Sequence, residues 1–465
     1  MTGAPTADRI DALYLRAIQL VLVAIVLNLA FASSINNSFL LLGRAFRFFL
    51  LFELAVVAGA YQTWRRPRAR PEGVAFLLAG LFAAVAVASS FWSVDAHRTE
   101  TRSGAFLILL LAAAALADAT VGRPDAVRAI LAALFVASVL VALLGLYMLW
   151  VAHGQAVQPA SFQYPARYRG IGQNPNTVPL LLALAIPLGL WLFETARTAA
   201  GRVATIASLV LLAGSIVASG SRGAAIAALA GALVWALTAP IGWRRRFLYA
   251  AVAAAAFVAA VAIMQIPKAL PPSPPGASNG PGRVVRDAEL TNPLADEIGN
   301  PALGSKAPPI HRTLFGTSGR AQAWDAALHQ AAKRPVSGYG FAMENRAFVD
   351  RWYGFDSSVP ENSYIGVLLQ LGIGGLVVFL ALVVALAVAA VQALRAPPGP
   401  TRAAIRACAS VLVAAAVLGL AQSYLTTVGN IASPLIWIPA LLLPALAWDA
   451  QRQRGQGDEA AVDAA

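Results

Sequence analysis

Four polar clusters interrupt this largely apolar chain, and each holds side chains able to do chemistry. They are Arg169-Gly170 with Asn174-Pro175-Asn176, Ser219 to Gly223 with Ser221 and Arg222, Gly319-Arg320 with Trp324, and Glu361-Asn362. Arginine suits a diphosphate because its rigid guanidinium donates two hydrogen bonds to phosphate oxygens and keeps its charge. Arg222, Arg320 and Arg169 are therefore candidates for binding an anion such as a diphosphate.

Two uses of these arginines stay open. A long arginine near a membrane surface can simply extend to lipid headgroups, and for Arg169 that use is as reasonable as phosphate binding. Arg222 stands between the small residues Ser221 and Gly223, which let a substrate or a backbone approach closely. This context favours a functional part for Arg222.

Arg44 and Arg47 form another arginine pair, three residues apart in an apolar stretch. That spacing places both on one face of a helix, one to two turns below a membrane surface. Charges at such depth usually have a partner or a task. Glu53 is the predicted internal partner, and a part in the substrate site is the alternative.

Metal and cofactor sites are not predicted. Asp95 and Glu100 do not form the close acidic pair of a metal site, and the four histidines are scattered: His97, His153, His311 and His329. His329 is placed on a loop helix as a solvated or packing residue, with a catalytic part as the alternative. The one cysteine, Cys408, falls in an apolar run, so no disulfide can form within the chain.

The composition requires a membrane protein. Hydrophobic residues make up 58% of the 465 and charged residues 12%, with a mean hydropathy of +0.67, which no water-soluble domain of this size would tolerate. The formal net charge is +13, but the arginines concentrate in every second connection between apolar runs, as the positive-inside rule requires. The charge therefore indicates orientation and not nucleic-acid binding.

Apolar runs long enough to span a bilayer predict an all-α, polytopic fold of about twelve transmembrane helices. The predicted spans are roughly 15–33, 39–61, 73–92, 104–121, 126–151, 177–195, 203–219, 223–239, 247–266, 362–393, 404–427 and 434–449. The first run is predicted to be a retained helix, because residues 1–16 carry charges of both signs and no cleavage site. Both termini are predicted to be cytoplasmic.

One extramembrane segment is large. Residues 267–361 follow nine predicted helices in residues 1–266 and precede three more in 362–449 and a cytoplasmic tail in 450–465. Prolines make the first half of this segment loop-like, whereas its second half has the pattern of short helices. All four polar clusters are predicted to lie at the same, outer face of the membrane.

In this order, the clusters resemble those of the membrane family of O-antigen ligases and Wzy-type polysaccharide polymerases. The resemblance covers about residues 165–390. It rests on Arg169-Gly170 with Pro175-Asn176, Ser219-x-Ser221-Arg222-Gly223, Gly319-Arg320 with Trp324, Arg334-Pro335, Gly338-x-Gly340, and Glu361-Asn362 followed by Gly372-x-x-Gly375. Glu361 stands where the ligases carry a proposed catalytic histidine.

The resemblance implies a helical, GT-C-like glycosyltransferase with a periplasmic lid, located in a bacterial inner membrane and acting on glycans linked to undecaprenyl diphosphate. An acceptor hydroxyl would attack the anomeric carbon, and the lipid diphosphate would leave with inversion and without a metal. Arg222 and Arg320 would bind the diphosphate, with Arg169 as an addition, and Glu361 would act in the histidine's place. Further candidates for the site are Asn362, Asn176, Ser221, Trp324, Arg44 and Arg47.

Glutamate in place of histidine changes the chemistry without abolishing it. A glutamate is ordinarily ionised at neutral pH, so it can orient a hydroxyl and take its proton late in the reaction. Acidic residues at this position resemble exopolysaccharide polymerases more than lipopolysaccharide ligases, which favours a polymerase. The alternative is that Glu361 is only an acid in the first turn of a helix.

Three functions stand as alternatives. A polymerase would join repeat units from one lipid diphosphate onto the chain carried by another, and a ligase would transfer the glycan to lipid A core or to a protein side chain. A transporter or flippase would have polar groups near mid-membrane, whereas here they collect at one face, which favours an enzyme. The predicted partners are lipid-linked oligosaccharide, a glycan acceptor and membrane lipids, with chain-length proteins as further candidates.

Overall fold

The structure, a computed structural model, is built from α-helices and describes residues 4–65, 73–160, 165–264, 266, 320–348 and 359–463. The helices are α1 (Ala4–Ala32), α2 (Asn37–Arg65), α3 (Val74–Ala88), α4 (Ala96–Ala119), α5 (Pro124–Val151), α6 (His153–Ala156), α7 (Thr177–Thr195), α8 (Ala199–Ser219), α9 (Arg222–Leu237), α10 (Trp243–Met264), α11 (Arg320–Ala331), α12 (Glu344–Ala347), α13 (Ser363–Ala393), α14 (Pro400–Gly419) and α15 (Ser433–Asp463). One short antiparallel hairpin pairs β1 (Val157–Gln158) with β2 (Arg167–Tyr168). His311 and Gly319 lie outside the described residues.

Ten helices within the described residues are long and apolar enough to cross a membrane. α2 has the length but carries Arg44, Arg47 and Glu53, and α9 is short, with 16 residues. Only 6% of the most apolar window of α10 is buried, and so large an exposed apolar surface is typical of contact with lipid. The all-α, polytopic membrane fold is confirmed, whereas a total of twelve spans, which would include α2 and α9, stays a prediction.

α15 forms the centre of the bundle. In its span Ser433–Arg452, 94% of the most apolar window is buried, and the helix packs against α4, α13 and α14. α1 packs against α2, and α2 against α4; a further group is formed by α7, α8 and α9, of which α7 and α9 contact α14. The helices that carry polar clusters therefore border either α15 or one of its direct neighbours.

Several predicted boundaries differ from those in the structure. α4 begins at Ala96, so Arg98 and Arg102 lie on a helix and not in an extended outer loop. α14 ends at Gly419 and not near residue 427. The chain then forms a non-helical stretch, here named the 420–432 connection, which hydrogen-bonds to residues around Glu361. α15 continues to Asp463, past residue 450, where the tail was predicted to begin.

Arg406 is buried in α14. Its guanidinium forms an ion pair with Glu194 of α7 at 2.9 Å and donates to Trp235 O of α9, also at 2.9 Å. The guanidinium thus has a carboxylate and a carbonyl acceptor, while its Nε is buried without a hydrogen-bond partner among the described residues. Arg406 therefore connects three helices that sequence position alone does not bring together.

A docked segment, residues 335–341, packs against a break in α13. Ile373 N donates to Pro335 O at 2.8 Å, and Gly340 N donates to Gln370 O at 2.8 Å. Because these bonds join backbone to backbone, they fix the segment in register against the helix. The described polypeptide just before Glu361 is thereby attached to the helix that follows it.

Two glycines make this contact possible. Gly372, at the break in α13, has φ 66° and ψ −167°, and a Cβ on it would lie 2.1 Å from Val336 O. A Cβ on Gly338 would lie 2.5 Å from the carbonyl group of Gln370. Gly338 and Gly372, one glycine from each of the Gly338-x-Gly340 and Gly372-x-x-Gly375 patterns, thus serve one close backbone contact.

The Gly372→Ala variant is expected to lower the free energy of unfolding by at least about 2 kcal/mol, because alanine is strained in this backbone region and also meets Val336 O. The thermal unfolding midpoint in detergent measures this loss. Gly374→Ala is the matched control, since a Cβ there meets nothing within 4 Å and alanine is a better helix former than glycine. Equal midpoints for the two variants would contradict the prediction.

Candidate active site

Glu361 lies just before α13, and Asn362 caps that helix. Asn362 Oδ1 accepts hydrogen bonds from the backbone N–H groups of Tyr364 and Ile365 at 3.0 and 3.1 Å, which is typical of an N-cap residue. The alternative that Glu361 is only an acid in the first helical turn is therefore wrong, because the helix begins at Ser363. Glu361 has φ 49°, a left-handed conformation that non-glycine residues seldom adopt and that is often found at functional sites.

The Glu361 carboxylate forms an ion pair with Arg320, the first residue of α11. Gln422 Nε2 donates to the same carboxylate oxygen at 3.3 Å, and Trp324 Nε1 donates to Pro360 O at 2.9 Å. The side chains of Arg320 and Glu361 are 21% and 15% exposed. Arg320 Nε is buried and has no hydrogen-bond partner among the described residues, so the guanidinium has a donor available for a further oxygen.

The 420–432 connection brings the Ser219–Gly223 cluster towards Glu361. A Cβ on Gly223 would lie 3.6 Å from that of Ala421, and Ser363 Oγ donates to Gln422 O at 2.6 Å. The start of α9, with Arg222, therefore packs beside the stretch of backbone that also contacts Glu361. The second and fourth clusters meet through these few residues.

Arg167, which sequence reasoning missed, joins the first cluster to the second. It is buried, its Nε donates to Ser219 O at 2.7 Å, and its Nη2 donates to Asn176 Oδ1 at 3.0 Å. Arg167 is part of the β1–β2 hairpin, which holds it in place. Ser221 is buried beside Ser219, and the Ser219 hydroxyl accepts a hydrogen bond from Ser221 N at 3.2 Å. Because Arg167 and Arg169 stand close together in the chain, the sequence did not indicate which of them reaches the second cluster.

Arg169 is also buried, but its guanidinium contacts another part of the chain. Its Nε donates to Gln155 O at 2.8 Å and its Nη2 donates to Gly154 O at 2.9 Å. These bonds fix the turn of α6 that leads into the hairpin. Diphosphate binding by Arg169 stays a prediction, and its contacts favour a structural part.

Arg44 and Arg47 lie on α2 and form a separate group. In the described part of the chain, neither has a hydrogen bond or an ion pair with Arg320, Glu361 or Glu53. The predicted internal pairing with Glu53 is therefore wrong. Arg44 is exposed and Arg47 is half-buried.

An apolar cavity of about 360 Å³ runs along α13, starting close to Glu361. Its lining extends from Tyr364 to Leu394 on that helix and includes residues of α9, α14 and α15. Almost all of these residues are aliphatic or aromatic. The Tyr364 hydroxyl donates to Ala416 O at 3.0 Å, which fixes the end of the cavity nearest the polar site.

Residues 207–380 match the family model described as O-antigen ligase. The chain carries an O-antigen ligase domain. The match runs from α8 into α13 and includes Arg222, Arg320 and Glu361, so the family resemblance seen in the sequence is confirmed. Together with the helical bundle, it makes the protein a membrane enzyme of the O-antigen ligase or polymerase type. No curated protein matches the chain.

A second carboxyl group of the O-antigen ligase domain, Glu344 in α12, is buried next to the cap of α13. Ser423 Oγ donates to one of its oxygens, and Gln370 Nε2 donates to the other at 3.3 Å. Asn362 N donates to the same Ser423 Oγ at 3.1 Å, so two hydrogen bonds link Glu344 to Asn362. Burial raises the pKa of the Glu344 carboxyl to about 7. Sequence reasoning missed Glu344, because only tertiary packing buries it.

The raised pKa of Glu344 makes folding stability depend on pH. Between the ordinary value of 4.5 and about 7, the folded chain holds a proton that the unfolded chain has lost, so stability falls as pH rises through this window and stays lower above it. Glu344→Gln should remove up to about 3 kcal/mol of that fall. The measurement is the thermal midpoint from pH 5 to pH 8, with the exposed Glu100→Gln as control. Parallel curves for wild type and Glu344→Gln would contradict the prediction.

Proposed function

We propose that this membrane enzyme is a glycosyltransferase that polymerises glycan repeat units carried on undecaprenyl diphosphate. The observation that carries the proposal is the Arg320–Glu361 ion pair, which lies directly before a helix that lines a large apolar cavity. The Glu361 carboxylate can accept a hydrogen bond from a hydroxyl, and the Arg320 guanidinium can bind a phosphate. The apolar cavity suits a polyprenyl chain.

Arg320 and Arg222 bind the donor diphosphate in this proposal. Arg320 keeps the buried Nε donor, and Arg222 is the first residue of α9, where the helix N-terminus also favours an anion. Each charge-assisted hydrogen bond contributes roughly 1.5 to 3 kcal/mol. These bonds stabilise the negative charge that builds up on the departing diphosphate. The polyprenyl tail lies along α13, with its diphosphate at the Tyr364 end of the cavity.

The transfer step forms one bond and breaks one. The acceptor hydroxyl oxygen attacks the anomeric carbon of the donor sugar, while the bond from that carbon to the diphosphate oxygen breaks with its electron pair. The hydroxyl proton passes to the Glu361 carboxylate, and the configuration at the anomeric carbon inverts. The lipid diphosphate leaves against Arg320 and Arg222, and no metal or cofactor takes part in the proposed step.

A polymerase is preferred to a ligase because of the glutamate at position 361. The ligase alternative, with lipid A core or a protein side chain as acceptor, would use the same donor site. A transporter without chemistry is disfavoured, since the ion pair and the neighbouring clusters gather where several helices begin or end, and not in mid-helix.

The proposed location is a bacterial inner membrane, with the site facing the periplasm and both termini in the cytoplasm. The Arg222 end of α9 is opposite to the end that leads into Arg244, Arg245 and Arg246. By the positive-inside rule these three arginines lie on the cytoplasmic side, which supports an outward-facing Arg222. Proteins that control chain length are further candidate partners.

Two assays test the proposed function. Purified protein given repeat units on undecaprenyl diphosphate should produce a ladder of longer lipid-linked glycans. In a strain that lacks the gene, a polymerase predicts short glycans, whereas a ligase predicts full-length lipid-linked polymer that is never transferred. Absence of transfer from the purified lipid-linked donor to every acceptor would contradict both enzymes.

A further inference from the structure

Arg47 of α2 and Arg102 of α4 form a cationic cluster that the transfer step does not use. A Cβ on Gly429 would lie 3.5 Å from Arg102 Nη1 and 3.9 Å from Arg47 Nη1. Arg102 Nη1 also donates to Val428 O at 3.0 Å. Two guanidinium groups from different helices therefore converge on one point of the 420–432 connection.

The positive charge of this cluster is not balanced by carboxylates among the described residues. Arg44 lies within electrostatic range of Arg47, and Arg98 within range of Arg102. Within the described ranges, no carboxylate forms an ion pair with Arg47 or Arg102. Asp95 pairs instead with Arg346 at 3.2 Å. The buried Arg47 Nε has no hydrogen-bond partner in the same ranges. Like charges and an unsatisfied donor in a partly buried position indicate an anionic ligand.

The position of the cluster indicates that a lipid brings the anion. Arg47 is ten residues beyond the start of α2 at Asn37, about 15 Å along the helix. The neighbouring residues Phe46 and Phe49 are large, apolar and exposed, which is typical of a lipid-facing surface. The cluster therefore borders a surface that contacts lipid.

We propose that Arg47 and Arg102 bind the diphosphate of a second lipid-linked glycan, the one whose sugar accepts the transferred chain. The inference rests on the proposed function, because a polymerase must hold two lipid diphosphates at once. The 420–432 connection contacts Glu361 through Gln422 and the arginines through Val428 and Gly429. Gly429 is seven positions after Gln422, so the two contacts are at most roughly 25 Å apart. A glycan on the second lipid can bridge that distance to bring its hydroxyl to Glu361.

Acceptor kinetics of the purified protein in nanodiscs test the inference. The donor is a lipid-linked polymer, and the acceptor is one repeat unit, either on undecaprenyl diphosphate or as free glycan without lipid or phosphate. The double variant Arg47→Gln with Arg102→Gln should raise the KM for the lipid-linked acceptor at least about tenfold. The KM for the donor and the rate with free glycan should stay unchanged, and Arg65→Gln, exposed at the other end of α2, should match wild type.

Three results would overturn the inference. The first is an unchanged KM for the lipid-linked acceptor, and the second is an equal loss with free glycan, which would indicate a structural effect. The third is competition by phosphatidylglycerol vesicles as strong as that by undecaprenyl diphosphate, which would make the cluster a site for ordinary phospholipid.

A binding measurement separates failure of this inference from failure of the proposed function. Native mass spectrometry counts the undecaprenyl diphosphate molecules bound to each protein, and it does not require turnover. Two molecules on wild type and one on the double variant would support the second site even if no polymer forms. The same number on both proteins would overturn the second site even if polymer does form.

Discussion

Glu361→Gln is expected to reduce the rate of glycan transfer by about 10² to 10⁴, the usual range for a positioned base. Glutamine keeps the length of the side chain and can still accept a hydrogen bond from Gln422, but it cannot take the acceptor proton. The loss should appear in kcat, measured with purified protein and lipid-linked repeat units. The donor KM should change little, since Arg222 and Arg320 remain.

Glu361→Gln also removes the ion pair with Arg320, so a second variant must separate the two effects. Arg320→Gln breaks the same pair but should act mainly on the donor KM. Glu361→His should recover part of the rate, because imidazole also accepts a proton and the related ligases carry histidine here. Near-normal polymer from Glu361→Gln would show that the carboxylate only holds Arg320 in place, and the base would then lie elsewhere.

Arg320→Gln and Arg222→Gln should each reduce transfer at least about tenfold, since each removes a phosphate contact of roughly 1.5 to 3 kcal/mol. Arg→Lys at either position should recover only part, because an ammonium cannot donate two parallel hydrogen bonds. The effect is measured as kcat/KM for the donor at fixed acceptor.

Arg65→Gln is the control for a general loss of positive charge, because Arg65 is exposed in the last turn of α2. Thermal midpoints close to that of wild type would exclude unfolding as the cause. Full activity with glutamine at both 222 and 320 would remove the diphosphate site from the proposed function.

The membrane fold was predictable because long apolar runs admit few alternatives to spanning helices. The gathering of polar clusters was predictable for a related reason: charged groups in such a chain are confined to helix ends or to buried contacts. The Arg320–Glu361 pair and the packing of α9 beside the 420–432 connection agree with this expectation. The exact positions of the helix ends could not be predicted.

The surroundings of residues that are held by tertiary hydrogen bonds could not be predicted from the sequence. The end of α14 at Gly419 leaves no mark in an apolar run that continues past it, so Gln422 and Ser423 were assigned to a helix. Glu344 stands in an ordinary polar stretch, and only the helices around it make it a buried acid. The alternative that Glu361 is an acid in the first turn of a helix could be excluded only from the structure, in which Asn362 caps α13.

The attachment of residues 335–341 to α13 has a consequence for mutational scanning. Its hydrogen bonds join backbone groups, so replacing the exposed Val336 or Ile373 by alanine leaves every donor and acceptor in place. A scan of single substitutions in this region would therefore find tolerated positions both in residues 335–341 and in α13. Substitutions of the glycines at 338, 340 and 372 would not be tolerated. That pattern would show that residues 335–341 are attached to α13 through the backbone and not through side chains.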